Sequence, residues 1–135
     1  MPRDGVTRRR FLAGSAAAGL SLAAPWPLFA EERPMPLRLL GTTGVKVSLA
    51  GLGTAQFKPR LGEKRCAEIV RRAIELGINY VDTAHSYGRG NAETFIGKAL
   101  QGNRRDKVFL TTKTLARDKK GALRELDQSL GRLRT

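Results

Sequence analysis

Cysteine and histidine are almost absent from this sequence, which has one of each in 135 residues. The lone cysteine, Cys66, allows no intramolecular disulfide and matches no metal or redox spacing, so we interpret it as a small buried apolar side chain. The lone histidine, His85, leaves no Cys/His cluster that could hold zinc, and the sequence predicts no metal site. Any chemistry must therefore come from other residue types.

Acidic residues are also scarce: 12 Asp and Glu stand against 25 Lys and Arg, a net charge of +13. The first 30 residues hold four arginines and one aspartate, so the remainder still carries 21 basic and 11 acidic residues, a net charge of +10. Clustered basic residues with aromatics indicate nucleic-acid binding. Here the basic pairs (Arg71-Arg72, Arg104-Arg105, Lys119-Lys120) are dispersed and lack aromatic neighbours. A solvated basic surface is favoured, no nucleic-acid partner is expected, and a basic interaction module remains an alternative.

The first 30 residues are typical of a targeting segment. The stretch Thr7-Arg8-Arg9-Arg10-Phe11-Leu12 resembles the twin-arginine (Tat) export motif, and a weakly hydrophobic run follows it. The alternative is a membrane anchor, but glycine, serine and proline interrupt the run, so no permanent anchor is expected. We predict a twin-arginine signal peptide over 1–30, cleaved after Ala30, a linker over 31–36, and export to the periplasm by the Tat translocation machinery.

From residue 37 onward, strand-like and helix-like patterns alternate. A hairpin over 37–40 and 45–47 comes first. Strands are then predicted at 47–54, 78–84 and 106–113, the first of them buried on both faces, with helices at 63–76, 91–100 and 119–133. Asn91 is the expected cap of the second helix, and the third places an apolar stripe (Ala122, Leu126, Ser129, Leu130, Leu133) on one side. This alternation predicts an α/β fold with βα units around a parallel sheet.

Two architectures share that alternation. A doubly wound dinucleotide-binding fold needs a G-x-G-x-x-G loop that leads directly into a helix. In "GLGTAQF", Gln56 stands where the third glycine belongs, and the six residues 57–62 separate it from the helix. We therefore predict a (β/α)₈ TIM barrel, of which 37–135 forms about the first three βα units, with functional residues at the carboxyl ends of the strands.

Three polar residues fall at those strand ends. Asp82 ends one strand, Lys113 ends the next, and Tyr87 follows Asp82 in a loop that Gly88 and Gly90 make adaptable. A free tyrosine titrates near pH 10, but a lysine ammonium held by an aspartate stabilises the phenolate and makes the phenol a better acid. The trio suits proton donation to a carbonyl oxygen that receives negative charge as hydride arrives.

Several motifs in order resemble the aldo/keto reductase family: "LGTTGVKVSLAGLGT", "GINYVDTAHSYGRGNAETFIGKAL", "VFLTTK" and "SLGRLRT". The resemblance implies reduction of a small carbonyl substrate, an aldehyde or ketone, with NADPH, or NADH as the other option. It makes Tyr87 the proton donor, assisted by Lys113, with Asp82 paired to the lysine and near the nicotinamide ribose. The turn Gly53-Thr54-Ala55 would contact the cofactor through its backbone, and Glu93 and Gly97 would serve packing.

Other readings remain open for these residues. Asp82 alone could end a turn, Lys113 could be a solvated lysine, and Tyr87 could serve packing. The histidine of the family follows the next strand, so for His85 we favour a loop or pocket-lining role over that of acid or oxyanion donor. That later histidine and five further βα units would lie beyond Thr135, so the chain is expected to be an inactive amino-terminal fragment. A non-catalytic cofactor-binding subunit, of the kind associated with ion channels, is a further alternative.

Overall fold

The computed structural model describes residues 34–135; the predicted signal peptide and the first half of the predicted linker lie outside the described residues. The strands are β1 (Leu37–Leu39), β2 (Lys46–Ser48), β3 (Gly51–Gly53), β4 (Tyr80–Asp82) and β5 (Phe109–Thr111). The helices are α1 (Glu63–Glu75), α2 (Asn91–Ala99) and α3 (Lys119–Leu133). Single 3₁₀ turns cover Pro59–Leu61 and Arg105–Lys107, and Tyr87–Gly90 forms a tight turn with non-helical backbone angles at Gly88 and Arg89.

The predicted hairpin is confirmed, since β1 and β2 pair antiparallel. The single strand predicted over 47–54 is wrong, because the chain bends at Leu49 and Ala50 and the two halves enter different sheets. Hydrogen bonds fix the bend: the Ser48 hydroxyl donates to Ala50 O at 2.6 Å, and Leu49 N donates to Pro36 O at 2.9 Å. Leu49 is left 60% exposed.

Strands β3, β4 and β5 form a parallel sheet in chain order, as predicted. Leu52, Val81 and Leu110 are in register on the face that packs against the helices. The opposite face carries the rings of Tyr80 and Phe109, stacked with centroids 5.9 Å apart. The expectation that the first strand is buried on both faces is wrong, because only Leu52 of β3 faces the helices, and Gly51 and Gly53 on the other face are exposed.

The core lies between this sheet and the helices. Its members include Cys66, Val70, Val81, Ile96, Leu100 and Leu133, each at most 3% exposed. Full burial of an aliphatic side chain of this size contributes about 1.5–3 kcal/mol, so this cluster is the main apolar stabilisation of the fold. The prediction that Cys66 is a buried apolar residue is confirmed.

The helix boundaries agree with the sequence patterns, with two corrections. The N-cap of α2 is Gly90 and not Asn91, and the φ of Gly90, 87°, is one that only glycine adopts readily. The side-chain Nδ2 of Asn91 donates to Gly88 O at 2.6 Å. The apolar stripe of α3 is only partly buried: Leu126 and Leu130 are 44% and 39% exposed, because α3 packs on α2 chiefly through its last turn. Within residues 34–135, no helix is both long and apolar enough to cross a membrane.

Candidate active site

The carboxyl ends of β3, β4 and β5 lie side by side. Gly53 is in register with Asp82, and Asp82 with Thr111. The pairing of β4 and β5 continues past the strands, because Thr83 N donates to Thr111 O at 2.9 Å and His85 N to Lys113 O at 3.0 Å. The structure therefore brings together the strand ends from which the sequence predicted a site.

Asp82 and Lys113 form an ion pair at this edge. Lys113 Nζ donates to Asp82 Oδ1 at 2.6 Å and to Thr83 O at 2.8 Å. Their side chains are 31% and 48% exposed, respectively, so the pair is open to solvent on one side. Partial desolvation disfavours the ammonium, but the hydrogen bond and charge of Asp82, together with Tyr87, raise the pKa of Lys113 above its ordinary 10.5. The lysine is therefore a fixed cation at neutral pH.

Tyr87 lies over this cation. Lys113 Nζ is 5.0 Å from the centroid of the Tyr87 ring, within the range of a cation–π interaction. Three successive residues with positive φ, Gly88 at 57°, Arg89 at 56° and Gly90 at 87°, turn the chain here. A Cβ on Gly88 would lie 2.7 Å from Phe57 O, so this turn packs closely on the segment after β3. The tyrosine itself packs against the core.

Two threonines hold Asp82: Thr111, which the sequence did not mark as a site residue, and Thr54 of the predicted cofactor turn. Thr111 Oγ1 donates to Asp82 Oδ2 at 3.2 Å, so each carboxylate oxygen has its own donor. Thr54 is fully buried, and both its amide and its hydroxyl donate to Asp82 O, at 3.0 and 2.9 Å. Thr111 could have been predicted from the sequence, because it lies two residues before Lys113 and its side chain therefore points to the same face of the sheet as that of Lys113.

The predicted cofactor turn, Gly53-Thr54-Ala55, is at the same edge. Because the Thr54 amide is already bonded within the protein, the exposed backbone of Gly53 and Ala55 is the part open to a ligand. A Cβ added to Gly53 would meet nothing within 4 Å, so open space lies directly above it and next to Asp82. In residues 34–135, there is no cluster of three metal-ligating side chains.

A second polar cluster lies behind the first, and the sequence analysis missed its arginine. Glu93, fully buried, accepts from Arg132 Nη1 at 3.1 Å and from the Thr112 hydroxyl at 2.7 Å. The same Nη1 atom is 3.3 Å from His85 Nδ1. Glu93 is thus held in a polar cluster by Arg132 and Thr112, and His85 lies in the loop after β4, beside Arg132. The pairing of Glu93 with Arg132 joins α2 to α3 across 39 positions, so no local pattern signals it.

The loop after Lys113 is also held in place. Glu125 on α3 accepts from the Thr114 hydroxyl and, at 3.0 Å, from Leu115 N. These two hydrogen bonds, that of Thr114 foremost, lower the pKa of Glu125. The carboxylate is thus ionised at neutral pH and keeps the chain beyond Lys113 folded over the amino-terminal half of α3.

Comparison with known proteins places these residues in a family. The model of the aldo/keto reductase family matches residues 50–135. The uncharacterized oxidoreductase YqkF of Bacillus subtilis is 43% identical over 79 residues, which are 58% of this chain and 25% of YqkF. The chain therefore spans about a quarter of that relative's length.

Solved structures give the same result. The holo form of the aldo-keto reductase AKR11C1 from Bacillus halodurans is 37% identical, with a TM-score of 0.64 over 75% of this chain and 37% of its own. An aldo-keto reductase from Klebsiella pneumoniae in complex with NADPH is 32% identical, with a TM-score of 0.63 over 68% of this chain and 33% of its own. The parallel βα units and the matched sequence motifs are thus those of one family of oxidoreductase barrels, and the chain belongs to the aldo/keto reductase family.

Proposed function

We propose that these residues form the proton-donating part of the active site of an NAD(P)H-dependent oxidoreductase that reduces aldehydes or ketones to alcohols. The observation that carries the proposal is the position of Lys113, whose ammonium contacts the Asp82 carboxylate and lies 5.0 Å from the centre of the Tyr87 ring. A lone lysine at a surface would have neither partner.

In the proposed reaction Tyr87 is the general acid. As the carbonyl carbon accepts hydride, negative charge grows on the carbonyl oxygen, and the Tyr87 hydroxyl transfers its proton to that oxygen, which leaves an alcohol and a phenolate. The ammonium of Lys113 stabilises this phenolate, and Asp82 keeps the lysine charged and oriented. A phenol without a neighbouring cation would be too weak an acid at neutral pH.

A nicotinamide cofactor bound at this edge would supply the hydride. The space above Gly53, beside the carboxylate of Asp82, is open to such a ligand, and Asp82 could accept a hydrogen bond from a ribose hydroxyl. The exposed backbone of Gly53 and Ala55 would border it. The NADPH complex of the Klebsiella pneumoniae relative supports NADPH over NADH as the first candidate.

The test is Tyr87→Phe in the full-length protein. We expect carbonyl-dependent NADPH oxidation to fall at least about 100-fold, the usual contribution of a positioned acid, while quenching of protein fluorescence by NADPH stays unchanged. Tyr80→Phe is the matched control, since it removes the other tyrosine hydroxyl of the chain and leaves the proposed acid in place. Unchanged turnover in Tyr87→Phe would show that another group donates the proton.

Residues 1–135 alone are proposed to be inactive. The described strands form a parallel sheet of only three, whereas a closed barrel of this type uses eight. Leu126 and Leu130 on α3 remain exposed as well. Carbonyl-dependent NADPH oxidation by soluble, monomeric protein of these 135 residues would contradict this part of the proposal.

Export by the twin-arginine route is a separate proposal, supported by the motif at 7–12 alone. A fusion of residues 1–36 to a folded reporter should reach the periplasm. The double substitution Arg8→Lys with Arg9→Lys should retain it in the cytoplasm, because a lysine ammonium does not replace the planar guanidinium at a site that recognises arginine. Export of the doubly substituted fusion would contradict the assignment.

A further inference from the structure

An ion pair with a fully buried carboxylate lies next to the candidate active site and has no part in the proposed proton transfer. The carboxylate of Glu93 is fully buried, and it binds Arg132 through one oxygen and the Thr112 hydroxyl through the other. Arg132 is 31% exposed, but the carboxylate of Glu93 is wholly removed from water, which is costly, and apolar residues often stabilise a fold as well or better. Stability alone therefore does not explain why charged groups occupy this position.

The partners of Glu93 reach both segments that carry the proposed site. Thr112 directly precedes Lys113 at the end of β5. Arg132 Nη1 lies 3.3 Å from His85 Nδ1 and 3.5 Å from His85 O, two residues before Tyr87. The amide of His85 in turn donates to Lys113 O at 3.0 Å. One guanidinium thus contacts the segment of the tyrosine directly and, through Glu93, the segment of the lysine.

The backbone around Arg132 leaves room for this arrangement. A Cβ on Gly90 would lie 2.5 Å from Arg132 Cζ, and Gly90 has a φ of 87°. A Cβ on Gly97 would lie 2.2 Å from Arg132 O. Gly90 therefore leaves space for the side chain of Arg132, and Gly97 leaves space for its backbone. The last turn of α3 packs so closely against α2 that neither position accommodates a Cβ.

We propose that Arg132 is a positioning residue. Through Glu93 and His85 it holds the Tyr87 loop, residues 83–90, against the end of β5 and so sets the separation between Tyr87 and Lys113. The consequence for catalysis rests on the proposed function, whereas the effect on the loop does not.

Amide hydrogen exchange tests the effect on the loop. In Arg132→Met and in His85→Ala, we expect the backbone amides at positions 85 and 87 to exchange at least about tenfold faster, while the Ile78 amide, bonded to Ala73 O, changes less than about twofold. Arg124→Met is the matched control, because Arg124 is exposed on the same helix and makes no side-chain hydrogen bond within the described residues. It should leave all three amides unchanged.

Two results would overturn the proposal. Equal acceleration of all three amides would mean that Arg132 only stabilises the fold, and unchanged His85 and Tyr87 amides would mean that it does not hold the loop. Arg132→Met leaves Glu93 buried without its cation and could fail to fold. His85→Ala keeps the ion pair and removes only the imidazole contact. If Arg132→Met does not fold, the exchange data of His85→Ala alone test whether Arg132 holds the loop.

Steady-state kinetics of the full-length protein test the effect on catalysis. For Arg132→Met or His85→Ala we expect kcat to fall about tenfold with KM for the carbonyl within about twofold, since a displaced acid affects the chemical step more than binding. Unchanged kcat with a mobile loop would overturn the positioning role and leave the proposed function standing. A wild-type protein without carbonyl reduction would instead contradict the proposed function, and the exchange data would still decide whether Arg132 holds the loop.

Discussion

Lys113 Nζ lies 2.6 Å from Asp82 Oδ1, although the two residues are 31 positions apart in the chain. Parallel pairing of β4 with β5 produces this closeness, because it places both carboxyl ends at one edge. Thr111 binds the second carboxylate oxygen and fixes the orientation of the pair. A cation at this position thus follows from strand register rather than from a flexible surface contact.

The ion pair predicts a pH dependence of stability. The pKa of Lys113 is raised above 10.5 in the fold, so the stabilisation is fully present below pH 10.5 and is lost as the pH rises through the folded-state value. Asp82→Asn should lower the free energy of unfolding by less than about 1 kcal/mol at pH 8, because the pair is half exposed. Urea denaturation at a series of pH values above 10.5 should show that the difference in the free energy of unfolding between the wild type and Asp82→Asn becomes smaller. A difference independent of pH would contradict this origin.

The pair with a buried carboxylate should contribute more than an exposed pair. Glu93→Ala leaves Arg132, 31% exposed, without its anion and Thr112 without its acceptor, and we expect the free energy of unfolding to fall by more than about 2 kcal/mol. Glu75→Ala is the matched control: its pair with Arg72 is 54% and 67% exposed, and the expected loss is under about 1 kcal/mol. Urea denaturation measures both, and equal losses would refute the distinction.

Two glycine substitutions should have opposite effects. Gly97→Ala places a Cβ 2.2 Å from Arg132 O, which forces α2 and α3 apart and should cost about 1–3 kcal/mol. Gly131→Ala is also helical but meets nothing within 4 Å, so it should stabilise the protein by about 0.5–1 kcal/mol through the lower backbone entropy of the unfolded chain. Thermal denaturation of both variants shows whether each substitution raises or lowers stability. A stabilising Gly97→Ala would show that α2 and α3 are not in contact at Gly97.

Cys66 offers a direct measure of opening. Burial raises the pKa of the Cys66 thiol above its ordinary 9.0, and the side chain is fully buried. As the only cysteine, it should react with a thiol reagent at pH 8 far more slowly than an unfolded control in urea, because the exposed thiolate is the reactive form. Fast labelling in native buffer would mean that α1 opens without global unfolding.

The order of the strands and helices and the position of the candidate site could be predicted from the sequence, because both depend on local patterns. Apolar periodicity gave the βα order, and the rule that parallel strands end at one edge brought Asp82 and Lys113 together. The bend at Leu49 was not readable, since it depends on Pro36 O. The exposure of Leu126 depends on which neighbours α3 has, and periodicity reports only the side chain's face.

The contacts that the sequence did not predict share one property. Arg132, which was not named as a site residue, binds Glu93 across 39 positions, and Thr54, predicted only as part of the cofactor turn, binds Asp82 O across 28. Neither residue is unusual in its own segment, so only the assembled fold reveals its partner. Polar residues that contact each other through tertiary structure leave no trace in spacing, whereas those at strand ends do.

The 31 positions between Asp82 and Lys113 also order events in time. At about 5–20 residues per second, the ribosome adds Lys113 about 2–6 s after Asp82, and Arg132 later still. Through that interval the nascent aspartate has no ammonium partner, and Glu93 has no guanidinium to enter the interior with. Both carboxylates are thus synthesised before their cations: Asp82 waits for Lys113, and Glu93 waits until nearly all of α3 has been made.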